Sequence, residues 1–127
     1  MVTGATVVAF VATERPEQSK AFYEEVLGLR LVADEQHAIV FDANGTMLRV
    51  QKAAEVTPHP YTSLGWEVDD IVATVSGLKE RGVEFEIFGF LPQDEFGIWS
   101  PDGATKIAWF KDPDGNLLSL TQFSPRS

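Results

Sequence analysis

The apolar positions of this chain fall into short blocks separated by glycine, proline and acidic residues, and the spacing inside each block predicts its element. Residues 5–12 (ATVVAFVA) are β-branched and apolar, bounded by Gly4 on one side and by Glu14, Arg15 and Pro16 on the other. A run that short and that apolar predicts a buried strand. Pro16 suits a first helical turn, Ser19, Phe22 and Val26 fall on one helical face, and Gly28 supplies the stop. Residues 29–32 and 38–41 are strand-like. Asn44 with Gly45 then predicts a tight hairpin, because both central positions of a type I′ turn need positive φ, and the return strand is 47–51.

After the polar, proline-marked stretch 55–60 the pattern starts again. Residues 64–68 read as a strand, and Asp69 or Asp70 as a helix cap. Ile71, Val75 and Leu78 then follow at helical spacing until Gly82. Further strands are predicted at 83–87, 107–110 and 117–120, the last two joined by the turn Asp112, Pro113, Asp114, Gly115. Each half therefore runs strand, helix ending in glycine, strand, hairpin, with Gly28 matching Gly82 and Gly45 matching Gly115. Only the second half carries an additional segment, 88–103 (FGFLPQDEFGIWSPDG), and a connection that long inside a small domain is usually functional or mobile. The expectation is an α+β protein of two βαβββ modules, one at about 1–54 and the other at about 61–127, with 55–60 as linker. They would form a curved mixed sheet around a cavity within one domain.

Composition narrows the chemistry. With 127 residues there is room for one domain or two small modules sharing a core. No cysteine is present, which excludes disulfides, thiolate metal sites and a Cys nucleophile. The balance of 10 Lys+Arg against 19 Asp+Glu, net −9, argues against a nucleic-acid partner and suits a cationic small molecule. Apolar runs such as 7–12 fall far short of the roughly 20 residues a spanning helix needs, so no membrane partner is expected. Nor does Met1 lead into a basic segment, and a cytoplasmic protein is the expectation.

Three runs carry a family resemblance: SKAFYEEVLGLRLV at 19–32, LGWEVDDI at 64–71 and KIAWFKDPDGNLLSLTQ at 106–122. Together they resemble the vicinal oxygen chelate superfamily, which contains glyoxalases, extradiol dioxygenases, fosfomycin resistance enzymes and bleomycin resistance proteins. The resemblance spans nearly the whole chain. It implies the paired-module fold and, in members that do chemistry, a divalent metal held by His, Gln and Glu on the first strand of each module and the last strand of each hairpin. Carried over residue by residue, those positions fall at Val8 (or Val7, depending on where a short insertion near Pro16 is placed), Arg49, Ser63 and Ser119. None is a competent ligand, because Val has no donor, Ser is a poor neutral ligand and Arg is permanently cationic. His37 and His59 lie outside these positions, so no metal and no cofactor is expected.

What remains is a set of side chains facing the expected cavity. Strand alternation puts Ser63, Gly65 and Glu67 on one face, with Ser119 and Arg49 implied by the resemblance to face inward too. Arg49 and Glu67 either pair with each other, or serve a ligand, Arg49 clamping an anion and Glu67 holding an amine or acting as general base. Glu67 is the catalytic candidate. Trp99 on the long second-module segment is the aromatic candidate for stacking a planar ligand, whereas Trp66 and Trp109, inside strands, read as core. The candidate ligand residues are thus Arg49, Ser63, Glu67, Trp99 and Ser119. The metal-free bleomycin resistance proteins are the nearest in character, implying a small-molecule ligand sequestered by a homodimer; a metal-free or non-standard lyase, isomerase or dioxygenase is the alternative.

Overall fold

β-Branched blocks and glycine turns build two small mixed sheets, each with a helix on one face. A computed structural model describes residues 1–125; residues 126 and 127, at the end of the expected second module, lie outside the described residues. Contacts group the chain into two units, Met1–Thr57 and Pro58–Ser127, here module one and module two.

Module one contains β1 (Val8–Thr13), α1 (Pro16–Ala21) running into a π-helical turn (Phe22–Val26), β2 (Arg30–Asp34), β3 (Ala38–Ala43) and β4 (Thr46–Lys52). The sheet order is β1-β4-β3-β2, with β1 parallel to β4 and the other pairs antiparallel. The β3–β4 turn forms as predicted, with Asn44 and Gly45 both at positive φ and the Gly45 N–H donating to Asp42 Oδ1 at 2.9 Å. Strand register puts Val11, Ile39, Phe41, Leu48 and Val50 on one face, where all are buried. Tyr23 is also fully buried, its ring 5.9 Å from that of Phe41, so this face is the module's core. The buried Thr13 and Ser19 hydroxyls meet at 2.7 Å, tying the end of β1 to α1.

Module two contains β5 (Leu64–Glu67), α2 (Ile71–Glu80), β6 (Lys106–Lys111) and β7 (Leu117–Gln122), with order β5-β7-β6 and β5 parallel to β7. Asp70 is the N-cap of α2, its carboxylate accepting the Ala73 N–H at 3.1 Å, and the side chain of Gln122 accepts the Ile71 N–H at 2.9 Å. That second bond pins the start of α2 to the end of β7. Ile71 and Val75 of the helix are buried, as are Ala108, Phe110, Leu118 and Leu120 on one face of the sheet. The 112–115 turn is held from inside. Asp112 Oδ1 accepts the N–H groups of Asp114 and Asn116, and Oδ2 accepts the Asn116 side-chain amide.

One predicted element does not form as a strand. Residues 83–87 make only an isolated bridge, Phe85 to Phe110, with the Glu86 N–H donating to the Trp109 carbonyl. Ile87 is 67% exposed, and Gly89 and Pro92 follow it, so no continuous ladder can extend from this bridge. Module two is a three-stranded variation on module one, with an irregular segment where module one has β2.

Candidate functional site

The face of module two turned away from α2 is set out by strand register. Gly65 of β5 pairs with Ser119 of β7, which pairs with Trp109 of β6; in the next row Glu67 pairs with Thr121, and Thr121 with Ile107. Directly paired residues share a face, so Gly65, Glu67, Ser119, Thr121, Ile107 and Trp109 line one surface. Ser63 precedes it on the same side of β5, its N–H donating to the Leu117 carbonyl. Trp99 joins from the long segment by a two-bond backbone pair with Ile107, at 2.9 Å each way. Four of the five candidate ligand residues, Ser63, Glu67, Trp99 and Ser119, are therefore brought together on module two.

Trp109 belongs to this surface and not to the core, which corrects the expectation for it. Its ring lies 6.0 Å from that of Trp99 at an interplanar angle of 30°, and Phe88 meets it edge-on at 5.4 Å. Its indole Nε1–H donates to Thr62 Oγ1 at 3.1 Å. The signal was available in the sequence: the spacing of Trp109 from the turn glycine Gly115 fixes its partner as Ser119, and so its face. Trp66, paired with Leu120, lies on the opposite face as expected.

Gly65 is explained by its neighbour. A Cβ at position 65 would come within 2.5 Å of Ser119 Oγ, so the hydroxyl occupies the space a side chain would fill. Ser119 itself is buried, while Ser63 and Glu67 are exposed. Among the described residues Glu67 makes no ion pair.

The long segment is ordered by its own polar groups. The Gln93 side chain accepts the Phe88 N–H at 2.7 Å and donates to the carbonyls of Glu86 and Gly97, and Asp94 Oδ1 accepts from the Phe96 and Ile98 N–H groups. Phe88 and Phe90, 5.7 Å apart, form one wall of a cleft of about 400 Å³ whose other sides include Pro58, His59, Lys111 and Leu117. Further along, Asp102 accepts the N–H groups of Ala104 and Thr105, and those backbone bonds hold its carboxyl below the usual range.

Arg49, the fifth candidate, lies on module one beside Phe10, its β1 partner, on the face away from the module core. Its Nη2 is 3.4 Å from Glu35 Oε1, so the guanidinium has a carboxylate neighbour within its own module. Lys52 Nζ donates to Asp34 Oδ1 and to the Glu35 carbonyl, both at 2.7 Å. The hydrogen bond from Lys52, with Lys20 also near, holds the Asp34 carboxyl below its ordinary value.

The two modules use one register. Arg49 stands four residues after Gly45 and pairs with Phe10; Ser119 stands four after Gly115 and pairs with Gly65. Val8 and Ser63 each lie two residues before those partners, so Val8, and not Val7, is the counterpart of Ser63.

Residues 5–120 match the family model of the Glyoxalase/Bleomycin resistance protein/Dioxygenase superfamily. The chain belongs to this superfamily. Solved structures of superfamily character share its fold. The genomically encoded fosfomycin resistance protein FosX from Listeria monocytogenes superposes with a TM-score of 0.76 at 13% identity, covering 98% of this chain and 94% of the other. A glyoxalase family protein from Enterococcus faecalis gives 0.66 at 22% identity (92% and 94% covered). Lactoylglutathione lyase from Agrobacterium tumefaciens gives 0.68 at 15% identity (93% and 93%). At these identities the likeness is one of fold.

Against the metal-binding members of the superfamily, the donor set here does not fit. The four positions that the resemblance assigns to metal ligands carry Val8, Arg49, Ser63 and Ser119, and among the described residues no group of three or more His, Asp or Glu side chains converges. His37 immediately precedes β3, and His59 lies before β5 with its ring stacked on Tyr61 at 5.1 Å. Also among the described residues, no helix is long and apolar enough to cross a membrane.

Proposed function

We propose that this superfamily member is a metal-independent binding protein that sequesters a cationic, aromatic small molecule on the open face of module two, acting in the cytoplasm. The observation that carries the reading is the placement of Glu67, exposed and without an ion pair among the described residues, on the same face as the Trp109–Trp99 stack. Two strand spacings, about 10 Å, separate β5 from β6, a span that a planar drug-sized cation covers. Its ring system would rest on the indoles, with its charge toward Glu67 and hydrogen bonds to the Ser63 and Ser119 hydroxyls. Arg49 is retained as a ligand-binding residue of module one, suited to an anion. The resemblance also carries a homodimer into this reading, and sedimentation velocity checks it.

Calorimetric titration with the planar cation proflavine, with and without EDTA, tests the proposal. Saturable binding indifferent to EDTA is expected, weakened about tenfold by Glu67→Gln and abolished or nearly so by Trp99→Ala. Binding that requires added zinc or manganese, or none at all, overturns it.

A second reading rests on the same exposed carboxylate: Glu67 as general base of a lyase or isomerase without the usual metal. Dioxygenase chemistry finds no such support. With a substrate in hand the readings separate, since Glu67→Gln would cut turnover by about 10²–10⁴-fold if the carboxylate moves a proton.

A further inference from the structure

The open face of module one carries side chains whose charge is opposite to that of Glu67 on module two. A cavity of about 320 Å³ opens on its sheet, lined by Phe10, His37, Ala38, Arg49, Gln51 and Lys52. Register accounts for the grouping. Phe10 pairs with Arg49, and one row further on the same face Gln51 pairs with Ala38, the first residue of β3, which His37 immediately precedes. The Lys52 N–H donates to the His37 carbonyl, closing that end of the cavity.

The lining holds a surplus of donors. Arg49 has five N–H groups in a planar fork and gives one to Glu35, at 3.4 Å. Lys52 gives two of its three to Asp34 and the Glu35 carbonyl. The side chains of Gln51 and His37 make no hydrogen bond among the described residues. No carboxylate lines the cavity itself. Glu35, whose carboxylate is 3.4 Å from Arg49, is 53% exposed, and exposed ion pairs are weak, so a ligand oxyanion can displace it. Next to this fork stands Phe10, 56% exposed, an apolar ring with its face available.

We infer that this cavity binds a small aryl carboxylate, its carboxylate taken by Arg49 in the two-bond geometry that a guanidinium favours and its ring laid against Phe10. Gln51 and His37 supply the remaining hydrogen bonds. The net charge of −9 repels anions from the surface as a whole, so retention here depends on this local donor set. The inference rests on the reading of Arg49 as a ligand-binding residue suited to an anion and not on the reading of module two, so the two sites can fail separately.

The experiment is an amide NMR titration of the full chain with benzoate, acetate and inorganic phosphate at constant ionic strength. Benzoate is expected to give saturable shifts centred on Phe10, His37, Arg49 and Gln51, at lower concentration than acetate or phosphate. Arg49→Gln should weaken benzoate at least about tenfold. Gln51→Glu, an exposed change that leaves the core untouched, should do the same by placing a carboxylate on the cavity wall. Phe10→Ala should bring benzoate down to the level of acetate. Shifts that are scattered and linear, or unchanged in both Arg49→Gln and Gln51→Glu, overturn the site; acetate or phosphate binding as tightly as benzoate overturns the aryl carboxylate as its ligand.

Discussion

Module one and module two are built on one register and have been filled in differently. Both place a parallel strand pair at one edge, a hairpin beside it, and a helix over one face, and the residue four positions past the turn glycine faces the first strand in each. In module one that cross-strand pair is Phe10 with Arg49, an exposed ring and a cation; in module two it is Gly65 with Ser119, where one side chain fills the space of two. Module one completes its sheet with β2, while module two replaces that strand with a self-bonded segment that delivers Trp99 and Phe88 to the open face. The lesson is that the ladder constrains one face only: core positions are held by packing against the helix, and open positions are at liberty to take on chemistry.

The turns offer the sharpest way to break the comparison. Asp112 is buried and accepts three hydrogen bonds within its turn, whereas Asp42 accepts one from Gly45 at an exposed site, besides its exposed contact with Arg30. Asp112→Ala is expected to cost about 3 kcal/mol, by stranding buried donors, and Asp42→Ala no more than about 1 kcal/mol. Urea denaturation of both variants checks this, and equal losses would mean that the two turns do the same structural work.

Next in size is the Gly65 contact. Gly65→Ala should destabilise by about 1–3 kcal/mol, because the new methyl meets the Ser119 hydroxyl. Ser119→Ala in the same chain should recover most of it. A double-mutant cycle from thermal melts gives the coupling, and additivity would show that the hydroxyl is not what excludes a side chain at 65.

The smallest effect is ionic and confined to module one. Lys52 and Lys20 hold the Asp34 carboxyl below its usual value. A carboxyl depressed in the folded state contributes stability that is full above its unfolded pKa and is lost as pH falls through the folded value. The contribution should therefore be present from neutral pH down to the ordinary carboxylate range and disappear below it, and Lys52→Met should move the Asp34 titration, followed by side-chain carboxyl NMR, back toward 3.8.

Much of this architecture is legible in the sequence because its signals are local. Asn44 and Gly45, the Asp70 cap and the 112–115 turn each carry their own geometry, and the glycine spacing reveals the repeat. The segment 83–87 is less legible, since an apolar run cannot announce whether a neighbour will accept it along its full length; only the single Phe85–Phe110 bridge forms. On the open faces alternation along the strand puts Ser63 and Glu67 together, and the family resemblance implies that Ser119 joins them. The sequence hides the Trp109–Trp99 stack, because that contact depends on a segment folding back through Gln93 and Asp94.

The π-helical turn at Phe22–Val26 has a consequence for chain length. From Pro16 to Gly28 there is one residue more than from Ile71 to Gly82, although the matching strand residues Phe10 and Gly65 each stand six positions before the helix start. The wider turn, with Leu27 N–H bonded to the Phe22 carbonyl five residues back, absorbs that extra residue without advancing the chain. Helix length and strand phase are thereby decoupled. A single-residue deletion within Phe22–Val26 would relax the turn to ordinary α-helix and still deliver β2 in register, so the chain can be shortened here without re-threading the sheet.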